Sequence, residues 1–502
     1  MGQVGVGRRN LTQKRHWWVR SQPLGHRTGS DIFQCLYGNL LRQPPTPASL
    51  VALLESPFPL PAAAQPHAVH SRYSICAGPP RQVRALPQVW TPVVGSILPM
   101  LAERLAKGEQ LQLFGDEAEA AQRSLPFTGG WLGWLGYDLA WEIERLPTFN
   151  NDSLPFPVAL WYEPATFAVL DHQAQQLWLF APSPDGLDRL EKQLSLPPAE
   201  EPPIAPAAHD PRAVTLGMAA VEYQQAVRQA KRHIEAGDVF QVNLSLRFST
   251  ETTHHSWELY RQLQRINPSP FACYWRTPWG DVISCSPERL IKLQDGIAQT
   301  RPIAGTRPRG STPAEDAELA QTLLSHPKER AEHIMLVDLE RNDLGRVCQW
   351  GTVRVNELLT VEYYSHVMHL VSNVVGELQH DSRSGGQRQR NAIDLIRAVF
   401  PGGTITGCPK VRCMEIIEDL EPVRRSLFYG SCGYLDRRGN LDLNILIRTL
   451  LFGHTDSLST ASTVWGQVGA GIVADSDPLR EWQESLQKAR AQLLALGLES
   501  SS

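Results

Sequence analysis

Two groups of acids stand at helical spacing in this sequence. In KERAEHIMLVD, Glu329 and Glu332 are i and i+3; in REWQESLQKAR, Glu481 and Glu484 are i and i+3, with Lys488 at i+7. Such residues share one helix face. A solvated charged face is the commoner outcome of this spacing. Here the neighbouring runs IMLVDL and GAGIVAD are apolar, which puts the acids at the edge of a core. Two converging acid pairs without His or Cys suit a hard, oxygen-preferring cation such as Mg2+.

Three further residues could do chemistry. Glu288, in SCSPERL, follows a Ser-Pro turn at a strand start. A carboxyl partly buried there is raised in pKa and can deliver a proton; a surface pair with Arg289 is an equal alternative. His369, in YYSHVMHLVS, lies in an apolar strand-like run, where a lone His is more often a hydrogen-bonded core residue than a catalyst. Arg448 sits inside the apolar run ILIRTLL. A buried guanidinium needs an anionic partner, and a ligand carboxylate would serve.

These residues need elements to hold them. The stretch 399–415, VFPGGTITGCPKVRCME, breaks one helical pattern and starts another. Its glycines and Thr404 let backbone approach a ligand, and a helix N-terminus follows. From Val239 to Phe248 the chain alternates: Phe240, Val242, Leu244, Leu246 and Phe248 face one way, Gln241, Asn243, Ser245 and Arg247 the other. That polar face can line a site. Strands are expected at 272–276, 281–285, 288–293, 352–376, 428–436, 442–453 and 461–472, and helices at 314–343, 391–400 and 478–497. Long strands in hairpin order mixed with helices predict an α+β fold with large antiparallel sheets.

Composition bounds the rest. The chain has 502 residues, 42% apolar and 20% charged, with a net charge of −4. It can bury a large core, and it lacks both the basic stripe of a nucleic-acid binder and an apolar run of membrane-spanning length. Eight scattered cysteines with no CxxC pair suggest a reduced, cytoplasmic setting. The basic first 30 residues read as a poorly ordered tail, an organellar transit peptide being the other reading. The expected organisation is a tail at 1–30, an N-terminal domain at 31–193, a Pro-rich linker at 194–217, a catalytic domain at 218–497 and a tail at 498–502.

The motifs GDVFQVNLS, SPERL, RPIAGT, KERAEHIMLVDLERNDLGRV, FPGGTITGCPKVR, LDLNILIRT, GAGIVADS and EWQE occur in order from about Val221 to Leu496. This half closely resembles the chorismate-utilising enzymes, and the N-terminal half resembles that of anthranilate synthase and aminodeoxychorismate synthase component I. The resemblance implies roles. Glu332 and Glu484 match direct Mg2+ ligands, with Glu329 and Glu481 supporting. Arg448, Lys488, Gly469, Gly471 and Thr404 match groups around chorismate and its carboxylates. Glu288 matches the general acid for the departing C4 hydroxyl, and His369 a catalytic histidine near the ring. LLES (53–56), with Leu54, Glu55 and Ser56, resembles a tryptophan-binding motif, or is simply the edge of a core strand.

The product divides the resemblance. Gln241 stands where members that add water carry a lysine base, which favours amination. Asn243 in QVNL, Phe271 in NPSPF, GYDLAWEIE at 136–144 and FPGG at 400–403 resemble aminodeoxychorismate synthase. Ala304 in RPIAGT stands where better-known members of that group have a nucleophilic lysine, and it resembles anthranilate synthase, as does YYSHVMHLVS. The expectation is an aminodeoxychorismate synthase component I, with anthranilate synthase next and a non-catalytic regulatory subunit last. No Gly-x-Cys-x-Gly elbow is found, so ammonia is expected from a separate glutamine amidotransferase subunit. No pyridoxal-phosphate lyase is expected within the chain.

Overall fold

Alternating apolar residues build two large sheets that pack face to face, and helices cover the outer face of the larger one. The computed structural model describes residues 15–56, 72–107, 111–196, 214–363, 367–379, 390–454 and 461–498. Among the described residues one sheet has 13 strands and the other 10, with a two-stranded ribbon besides. Neighbours are antiparallel almost throughout; Arg15–Pro23 beside Leu111–Phe114 is a parallel pair. The fold is α+β, as expected.

Both sheets mix the two halves of the chain. Phe271–Thr277 pairs with Val51–Glu55, placing Cys273 opposite Leu54. Ser431–Asp436 pairs with Gly130–Leu135, placing Gly433 opposite Gly133. The core between the sheets is aromatic: Trp134 from one and Trp275 from the other meet edge to face, with centroids 5.7 Å apart. Helices Gly29–Tyr37, Ser256–Ile266 and Pro478–Ala495 cover one part of the outer face, and Ala220–Glu235 and Lys410–Leu420 another. No helix among the described residues is long and apolar enough to cross a membrane.

Four expectations change. The tail does not extend to residue 30, because Arg15–Pro23 is a strand of the large sheet. Trp17 and Val19 are buried there, an alternation hidden among basic residues. The helix expected at 314–343 is two, Pro313–Ser325 and Pro327–Gly345, since Pro327 ends one pattern and starts the next. The strand at 442–453 is also two, Leu441–Asn444 and Thr449–Phe452. Arg448 therefore sits in the break, with φ +52°, and not inside a strand. Finally, the two halves share continuous sheets, so 31–193 and 218–497 do not pack as separate bodies. Most of the expected linker, 197–213, lies outside the described residues, as do residues 1–14 and 499–502.

Candidate active site

The site forms where the strand Gln241–Thr252, the strand Ser462–Ile472, the glycine loop and two helices meet. Each acid-bearing helix starts on a proline, and Asp477 caps the second by accepting from Arg480 N at 3.0 Å. The two acid groups come within electrostatic reach of the same lysines, Lys328 and Lys488. Glu332 accepts from Gln241 Nε2 at 3.1 Å. Burial, helped by the charge of Glu329, pushes its carboxyl up. Burial also pushes up Glu481. The other two acids already have cations: Arg307 donates to Glu329 at 2.9 Å, and Lys488 pairs with Glu484 at 2.8 Å. Among the described residues no three His, Cys, Asp or Glu side chains converge to hold a metal. The four acids offer only oxygen donors, the kind that a hard divalent ion takes, and Glu332 and Glu481 have no salt-bridge partner among the described residues.

Gly469 and Gly471 lie opposite Ser245 and Asn243 on the paired strand. A Cβ at Gly469 would come 2.9 Å from Tyr429 Oη, and one at Gly471 2.4 Å from Gln241 Nε2. The glycines let these side chains pack directly against the strand. Lys488 Nζ donates to Gly469 O at 3.0 Å. Arg448 is largely enclosed, and its NH1 donates to the main-chain carbonyl of Lys488. No carboxylate pairs with it among the described residues, and burial pulls its pKa down.

Glu288 precedes the strand Arg289–Gln294, and its carbonyl accepts from Ile445 N at 3.0 Å. Its carboxyl is buried and contacts the Thr404 hydroxyl; burial pushes its pKa up to about 8. His369 is half-buried, with Nδ1 2.9 Å from Thr306 Oγ1. Burial pulls it down to about 4, and the charge of Arg448 adds to the effect, so the imidazole is neutral near pH 7. Ala304 pairs with Leu370 in the neighbouring register position. Next to it, Gly305 (φ +80°) is needed, since a Cβ there would lie 2.6 Å from Glu329 Oε2.

The glycine loop is clamped from below. Lys410 does not face outward to an anion; its Nζ turns back to Asp343 Oδ2 (2.7 Å), Val399 O (2.8 Å) and Pro401 O (3.2 Å). Thr406 Oγ1 donates to Gly402 O at 2.8 Å, and Arg425 NH1 to Ile405 O at 2.7 Å.

Sequence reasoning missed Tyr429. It is buried and takes φ +65°, and burial pushes its phenol pKa up, with Ser245 beside it. The signal was present in FYGSCGY, a tyrosine next to glycine at a strand start. Asn243, on the polar face expected to line the site, donates from Nδ2 to Thr404 O at 3.4 Å, while its Oδ1 has no partner among the described residues.

A cavity of about 100 Å³ lies between the sheets beside Leu54, Ser56, Phe271, Arg289 and Tyr434. Glu55 contributes to its wall, but the carboxylate turns elsewhere. It accepts from Ser30 N (2.6 Å), Ser30 Oγ (2.7 Å), Tyr260 Oη (2.6 Å) and Gln264 Nε2 (2.8 Å).

Residues 62–494 match the family described as chorismate binding enzyme. An anthranilate synthase component I-like protein of Synechocystis sp. is 54% identical, over 99% of this chain and 95% of its own length. Anthranilate synthase component 1 of the same strain is 42% identical, over 74% and 77%. Aminodeoxychorismate synthase component 1 of Bacillus subtilis is 44% identical, over 76% and 80%. The solved structure of anthranilate synthase component I from Streptococcus pneumoniae superposes with a TM-score of 0.68 at 31% identity, over 84% of this chain and 92% of that one. The chain thus belongs to the chorismate-binding enzymes, in the class of the anthranilate and aminodeoxychorismate synthases.

Proposed function

We propose that the chain aminates chorismate with ammonia from a separate glutaminase subunit, giving 4-amino-4-deoxychorismate. One observation carries the choice of product. Synechocystis has a protein named anthranilate synthase, which aligns with 74% of this chain at 42% identity. Its anthranilate synthase component I-like protein aligns with 99% at 54%. The chain follows the second, which supports a role distinct from that of the first. The second reading, anthranilate synthase, is favoured by Ala304: an alanine offers no nucleophile, so the 4-amino product forms without a lysyl intermediate at this position.

Arg448, Lys488 and the main chain at Gly469 and Gly471 hold the carboxylates of the substrate. Thr404 and His369 border its ring, with His369 neutral. Glu332 and Glu484, supported by Glu329 and Glu481, are the residues that would hold Mg2+, which when bound supplies positive charge to a substrate carboxylate. Glu288 gives its proton to the C4 hydroxyl, which leaves as water while the C–O bond breaks. Ammonia forms the new C–N bond and loses a proton. Gln241, an amide and not a base, leaves water unactivated at that position. We assign the cavity at Leu54 and Ser56 to tryptophan.

The test is incubation with chorismate, Mg2+ and ammonium, with products identified by mass and fluorescence. An aminated product that keeps its enolpyruvyl group supports the reading. Anthranilate with released pyruvate overturns it.

A further inference from the structure

Two amide oxygens in the site face no donor. Gln241 and Asn243 stand two apart on the strand Gln241–Thr252, so their side chains rise from one face, about 6.6 Å apart at the root. The orientation of each amide follows from what its nitrogen touches. Gln241 Nε2 donates to Glu332 at 3.1 Å, and Asn243 Nδ2 to Thr404 O at 3.4 Å. A carboxylate and a carbonyl only accept, so each nitrogen points there and each oxygen points away. Gln241 is 4% exposed. Its Oε1 and Asn243 Oδ1 are enclosed, with no hydrogen-bond partner among the described residues. Arg425 NH2 reaches Asn243 but donates to its main-chain carbonyl, at 2.7 Å. Both side chains border one glycine: Gly471 is paired opposite Asn243, and a Cβ on it would lie 2.4 Å from Gln241 Nε2. Thr404 ties the pair to the proton donor, since its carbonyl meets Asn243 and its hydroxyl contacts the Glu288 carboxyl.

We propose that Gln241 Oε1 and Asn243 Oδ1 form the binding site for the attacking ammonia, each accepting one of its N–H groups. The inference rests on the amination reading above. Two buried acceptors without a donor call for a small ligand rich in N–H or O–H. The carboxylates of the substrate are acceptors themselves and do not answer them. Ammonia has three N–H groups and one lone pair, so with two N–H groups held the lone pair stays free to attack. The acceptors are neutral amides. A carboxylate in their place would favour the ammonium ion, which has no lone pair to give. Water held in the same way gains nothing, because neither amide can take its proton. The pair binds and orients; the bond changes are those already given for the amination.

The test is the initial rate of Asn243→Leu against ammonium chloride at fixed pH, with chorismate and Mg2+ saturating. Leucine keeps the branched shape and removes the acceptor. The expected result is a KM for ammonia raised about three- to tenfold, the loss of one hydrogen bond, with the KM for chorismate unchanged and kcat at saturating ammonia near that of the parent. Asn243→Ala gives the same split if the leucine variant does not fold. A raised KM for chorismate with that for ammonia unmoved assigns the acceptors to a substrate hydroxyl and overturns the inference. A fall in kcat alone, or no change, overturns it too and leaves the pair to an ordered water. The parent separates the two ideas. If it yields no aminated product, the amination reading fails; if it aminates while the Asn243 variants keep the parent KM for ammonia, only the binding site fails.

Discussion

The polar face of the strand Gln241–Thr252 divides into two unlike regions. At Ser245 and Arg247 the polar groups are answered. Ser245 N and Oγ both donate to Glu421 Oε1 at 2.8 Å, Arg425 grips the same carboxylate at 3.0 and 2.6 Å, and Arg247 Nε donates to Gln467 at 3.0 Å. At its upstream end Gln241 Oε1 and Asn243 Oδ1 are enclosed yet unpartnered among the described residues, and the carboxyl of Glu332 accepts from the Gln241 amide. Unanswered buried polar atoms cost stability, of the order of 1–3 kcal/mol each. The answered half stabilises the fold; the unanswered half is complementary to something that arrives later.

That division predicts different losses at its two ends. The largest falls on Glu288. Glu288→Gln lowers kcat by about 10²–10⁴, the range of general acid catalysis, while the thermal midpoint does not fall. The sign of its pH dependence follows from burial. Only the folded protein holds this proton between the ordinary carboxylate range and about pH 8, so the linked stability declines as pH rises across that window and levels off beyond it, whereas kcat falls above about 8. A kcat that does not fall above that pH would remove Glu288 from the mechanism.

Next comes the answered half. Glu421→Ala leaves the guanidinium of Arg425, which is 2% exposed, without its carboxylate. The expected cost is about 3–5 kcal/mol, seen as a lower urea midpoint. The smallest pair is the sharpest. Asn243→Ala lowers kcat/KM with the midpoint held, and Ser245→Ala costs about 1–3 kcal/mol of stability because Glu421 loses a donor. If the two variants exchange these effects, the division is wrongly drawn.

The alternation at 239–248 made the polar face legible, but not where it changes character. The divider is the Glu421–Arg425 pair, which lies far along the chain and carries no local pattern. The acid pairs were legible because helical spacing is local. Which of the four acids would be left without a cation was not, since Arg307 reaches Glu329 from another element. Arg448 was legible as a charge in an apolar run; the break that gives it φ +52° was masked because the residues on both sides suit strands. The strand at Trp17 and Val19 was obscured by the basic residues around it. Pairing between the two halves left no mark at all in the sequence, because a strand carries no label for its partner.

The shared sheets make the two halves of this chain heritable only as a pair. A polypeptide cut between residues 196 and 214 would still present Val51–Glu55 to Phe271–Thr277 and Gly130–Leu135 to Ser431–Asp436. The fragments would then find each other as a complementing pair. Neither could be exchanged for a distant cousin without matching whole rows of strand partners.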